Sequence, residues 1–103
     1  MTLDQAISTL SQSDPIVKLL QQVKLGRMKP SDAGLRAITE AWLGTYHKVL
    51  DTVQLERAAL VRLDPAPRLA VLIDAGVLAA DHPAVVGLGT LFDKRLAEAK
   101  PSA

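Results

Sequence analysis

The residues of this chain that could do chemistry are few, and their spacing is sparse. His47 and Asp51 stand four apart, so on a helix they share a face, and a carboxylate so placed can orient an imidazole for general base work. No nucleophile and no metal ligand accompanies them, and the pair reads more simply as an exposed helical contact worth a few tenths of a kcal/mol. Asp74, Asp81 and His82 offer one imidazole and two carboxylates, a set that could hold a divalent cation. No spacing rule selects them. Asp81 before Pro83 reads better as the cap of a helix, and Asp74 as a solvent-facing residue near a helix end. Gly87-Leu88-Gly89 lacks the third glycine of a dinucleotide fingerprint and the Lys-Ser/Thr pair of a phosphate loop. Small residues there are expected to let a helix pack closely on a neighbour. The sequence therefore assigns no catalytic residue, no metal site and no cofactor.

One basic cluster stands out: Lys18, Lys24, Arg27, Lys29 and Arg36. It spans the end of one expected helix, a turn and the start of the next, the outline of a helix-turn-helix. Arg36 and Thr39 would then face bases, with Lys24, Arg27 and Lys29 on phosphates. Against this, residues 33–42 carry one base-reading cation and no Asn or Gln, and the turn from Gly26 to Ser31 exceeds three or four residues. Compensation of helix dipoles on a solvated surface is the plainer reading.

The elements that position these residues are helices. Of 103 residues, 49% are apolar and only 3% aromatic, with seventeen Leu and fifteen Ala, so the core is aliphatic and helix-prone. There is no cysteine and the net charge is +1, which gives no strong general attraction to nucleic acid or to an anionic membrane. The start of the chain lacks the basic and apolar regions of a signal peptide, and no uncharged run approaches the ~20 residues of a membrane span. A soluble, cytoplasmic protein is the expectation.

Thr2 and Gln5 form a candidate capping box before a stripe of Leu3, Ala6, Ile7 and Leu10. Asp14-Pro15 opens a second helix, with Ile16, Leu19, Leu20 and Val23 on its apolar side and Gly26 as a left-handed stop. Ser31 or Asp32 caps a third segment with no proline before Pro65; Gly44 alone should not stop it. Helix four spans about Pro67 to Ala75, with Gly76 as its stop. Helix five follows Asp81 to about Ala99, its regularity around residues 84–91 weakened by Gly87 and Gly89. Residues 100–103 form a frayed tail. No internal repeat is evident.

The fold expected is an all-α bundle of about five helices in a single domain over residues 1–103, with one long central helix. If that helix ran from Ser31 to Leu63 it would be about 50 Å long, beyond the roughly 34 Å diameter of a compact chain of this size. Trp42, Val49, Val53, Leu60 and Leu63 would then lie at a partner or dimer interface. The functional expectation is a non-enzymatic interaction or regulatory module, acting through an apolar helical surface as a homodimer. The alternative is a helix-turn-helix-like DNA-binding regulator using residues 18–36.

Overall fold

The computed structural model describes residues 2–12 and 15–101. The chain is an all-α bundle: α1 (Leu3–Gln12), α2 (Ile16–Lys24), α3 (Ala33–Thr52), the single turn α4 (Arg57–Leu60) continued as a 3-10 turn (Val61–Leu63), α5 (Ala66–Asp74) and α6 (Pro83–Glu98). No strand occurs among the described residues, and none of their helices is long and apolar enough to cross a membrane.

The first helix begins as its sequence requires. The Thr2 N–H donates to Gln5 Oε1 at 2.9 Å and the Gln5 N–H to Thr2 Oγ1 at 3.2 Å, a reciprocal capping box. The cap expected at Asp14 lies outside the described residues. After α2, Gly26 takes φ +74°, a left-handed conformation that glycine adopts without a Cβ penalty. Asp32, rather than Ser31, caps α3 by accepting from the Leu35 N–H at 3.1 Å.

The central helix is α3, and it is shorter than its apolar pattern suggests. It passes through Gly44 without a break but ends at Thr52, giving 20 residues and about 30 Å. Val53 turns extended (φ −70°, ψ 141°). The Arg95 guanidinium, from α6, donates to the Val53 carbonyl, and the Arg57 N–H donates to the Lys100 carbonyl at 3.0 Å. Backbone groups freed by the break thus find partners at the end of α6, and Lys100, expected in a frayed tail, is tied down. Residues 57–63 then fold back on the bundle. The Tyr46 hydroxyl donates to the Leu63 carbonyl. Trp42, Val49, Val53, Leu60 and Leu63 are all buried within the single chain, at most 3% exposed. They are core residues, not an interface, and the rod that was to carry them outward does not exist.

A repeat, absent to inspection of the sequence, governs the architecture. From residue 15 to residue 48, every position has the same local structure as the position fifty further on. Pro15 and Pro65 precede α2 and α5, and Gly26 and Gly76 (φ +80°) end them. The hydrogen bonds Leu25 N–H to Gln21, Gly26 to Val23 and Arg27 to Gln22 recur as Ala75 to Val71, Gly76 to Ile73 and Val77 to Leu72. Asp32 and His82 hold the equivalent cap position, with φ −55° and −57°. The protein is therefore a tandem of two helix–turn–helix units. One continuous core joins them, from Ala6 to Phe92.

The units lie side by side in the same sense. Pro83 and Ala84, at the start of α6, border the same groove as Leu43 and Gly44 in the middle of α3, while Arg95 near the end of α6 reaches Val53 just past the end of α3. The second turn rests on the first: a Cβ placed on Gly76 would stand 3.6 Å from the Cβ of Pro30. The second turn is sealed by buried Val77 and Leu78, whereas Arg27 is exposed and Met28 only half-buried. Likewise α3 buries Leu43 and Leu50, whereas the matched Asp93 of α6 and Lys100 beyond its end are exposed.

Candidate interaction surfaces

The candidate chemical residues are scattered. His47 and Asp51 are both exposed on α3 and share no hydrogen bond or ion pair. Asp74, Asp81 and His82 do not converge, and no group of three possible metal ligands occurs among the described residues. The cap of α6 is His82 rather than Asp81: its Nδ1 accepts from the Ala84 N–H at 3.0 Å. This contact requires an unprotonated Nδ1 and leaves Nε2 as the remaining polar atom of the ring. Helix α6 is continuous through Gly87 and Gly89.

Trp42 lies in the centre of the bundle. Its ring meets that of Tyr46 at 5.0 Å between centroids and a tilt of 60°, and the Arg68 guanidinium sits 5.6 Å over it. Burial pushes the Tyr46 phenol up to about 12, with the Asp64 carboxylate adding to the rise and the Arg68 cation opposing it. Thr39, expected to face bases, is fully buried and donates to the Leu35 carbonyl at 2.8 Å. Both are structural residues.

What the structure does bring together is a groove of about 540 Å³ between the middle of α3 and the first turns of α6. Leu43, Gly44, Pro83, Ala84 and Gly87 supply apolar surface, and Glu40, His47 and His82 supply polar groups. Both histidines of the chain thus border one groove, although they are 35 positions apart in sequence. The two glycines are its most informative feature. A Cβ added at Gly44 or at Gly87 would meet nothing within 4 Å, and the same holds for Gly89. Close packing on a neighbouring helix of this chain, the role expected for Gly87 and Gly89, is not what they provide. Each costs about 1 kcal/mol relative to alanine in a helix interior, with no contact among the described residues to require it.

The repeat also shows how the two units differ in surface chemistry. Half-exposed Val71 and Val86 stand where the first unit carries Gln21 and Arg36. Arg27 and Lys29 are replaced by Val77 and Ala79, and Lys24 by Asp74. Lys18, Lys24, Arg27, Lys29 and Arg36 are all exposed. A second cleft, of about 520 Å³, runs beside the break after α3, but Arg95 within it is already engaged by the Val53 carbonyl and lies 3.8 Å from Glu98.

Comparison with known proteins finds no family model, no curated protein and no solved structure that matches the chain.

Proposed function

We propose that this protein is a non-enzymatic interaction module that binds a second copy of itself through the groove between α3 and α6. The observation that carries this reading is the pair Gly44 and Gly87: two helical glycines, each with a stability cost, bordering one open groove that none of the described residues fills. Missing side chains let a foreign backbone come close. An apolar strip with polar groups beside it also matches the anatomy of protein interfaces.

The choice of occupant rests on self-complementarity. Two-fold dimers are the commonest assemblies, and they set one patch against itself. A groove carrying one carboxylate (Glu40) and two imidazoles (His47, His82) offers hydrogen-bond partners to its own copy.

Sedimentation equilibrium tests this directly. The expected result is a mass near twice 11.0 kDa at micromolar concentration. A single species of the monomer mass up to about 0.2 mM, a Kd too weak to matter for a dedicated interface, would overturn the proposal.

A further inference from the structure

We infer that the open turn of the first unit is a binding site for the phosphodiester backbone of double-stranded nucleic acid. This goes beyond self-association and stands on different residues.

The charge is concentrated in a way the whole-chain value conceals. Residues 15–36 carry five basic groups and one acidic group, a net +4. The chain as a whole is +1, so the remaining residues are net −3. The positive charge of this stretch lies along α2, on the turn that follows it and at the start of α3. Asp32, the only carboxylate in that stretch, is occupied in capping the Leu35 N–H. None of the five cations forms an ion pair among the described residues. Solubility alone would be served by charges of both signs; the second unit, with the same backbone, has Asp74, Val77, Ala79 and Val86 at four of the five positions. One sign of charge on one of two matched turns is the footprint of a polyanion.

Geometry favours a duplex over a bilayer. The cations are spread over three elements: Lys18 and Lys24 on α2, Arg27 and Lys29 on the turn, Arg36 on α3. Phosphates that flank a groove are met in this way by a helix–turn–helix. The exposed residues of the first turns of α3 are Ala33, Gly34, Arg36 and Ala37, so that end of the helix is slender and can come close to a groove floor with one guanidinium beside it. Exposed Leu25 beside this turn is a side chain that a bilayer would also use, so vesicles are the control in the binding test.

The test is fluorescence anisotropy with a labelled 20-base-pair duplex, at 50 and 200 mM salt, on the full chain. The expected result is binding whose log K falls with log salt at a slope of about −3 to −5, as release of several counterions requires. Arg27→Glu/Lys29→Glu should weaken binding at least 30-fold, and Arg36→Glu at least 10-fold. Lys48→Glu, an equal charge change on an exposed site farther along α3, should alter it less than 3-fold. Circular dichroism confirms that each variant is folded. The inference is overturned by absence of binding at 50 mM salt, by equal losses for Lys48→Glu and the turn variants, or by binding confined to phosphatidylserine vesicles with none to the duplex. Its outcome is independent of the dimer, because a monomer with this turn would still bind.

Discussion

The Arg95 guanidinium donates to the carbonyl of Val53, the residue at which the central helix stops, 42 positions earlier in the chain. This contact joins the end of the second unit to the end of the first and satisfies a backbone acceptor that helix α3 leaves free. Arg95→Ala should cost about 1.5–3 kcal/mol, the range for a hydrogen bond from a charged donor, since the carbonyl would remain part-buried without a partner. Urea unfolding checks this. Unchanged stability would show that the break after Thr52 is held by other contacts.

Trp42→Ala should cost about 3–5 kcal/mol, because the ring is 3% exposed and its removal leaves a cavity against Tyr46 and Arg68. Trp42→Phe should cost clearly less. A loss below about 0.5 kcal/mol for Trp42→Ala in the same urea experiment would place the ring outside the core.

Tyr46 supplies a pH signature. Its phenol is raised to about 12 in the fold, principally by burial, against about 10 in the unfolded chain. A raised folded value means that the unfolded state ionises first. The stabilisation from the neutral phenol is complete below pH 10 and is lost as pH rises from 10 toward 12. The chain has one tyrosine, so absorbance of tyrosinate reports this group alone. Titration in the native state should lag that in denaturant, and Tyr46→Phe should remove this part of the alkaline loss of stability. Coincident titration curves would contradict the burial of the hydroxyl.

The two caps at Asp32 and His82 have matched backbones but unequal chemistry. Asp32→Ala should cost about 0.5–2 kcal/mol. His82→Asp, which copies the first unit, should stabilise by a few tenths of a kcal/mol to 1 kcal/mol, as a carboxylate also complements the positive end of the helix dipole. Thermal unfolding at neutral pH measures both. A loss of stability in His82→Asp would mean that the imidazole does more than accept from Ala84.

Much of the fold is legible in the sequence because local signals coincide with it: Thr2 with Gln5, Asp32 before a helix, Gly26 and Gly76 after one. The end of α3 is not, because the break at Val53 is stabilised by groups more than 40 residues away rather than by a proline or glycine. The structural repeat leaves little trace in the sequence as well. Leu10, Asp14, Pro15, Leu19 and Gly26 recur as Leu60, Asp64, Pro65, Leu69 and Gly76, and some of the other matched positions keep only their role in packing. Trp42 and Phe92 are one such pair, and Leu35 and Val85 another. The groove is the least legible of all. Gly44 and Gly87 read as weaknesses within two helices, and only the parallel packing of α3 and α6 sets them beside one cavity with His47 and His82.

Those two glycines allow a measurement in which fold and function must move in opposite directions. Leucine is a good helix former, and among the described residues a Cβ at either site meets nothing within 4 Å, so Gly44→Leu/Gly87→Leu should unfold at a higher temperature than the parent. The same side chains fill the groove, so sedimentation equilibrium should show the dimer of the parent weakened at least 10-fold. A variant that dimerises as tightly as the parent would contradict the account, as would a parent that never dimerises.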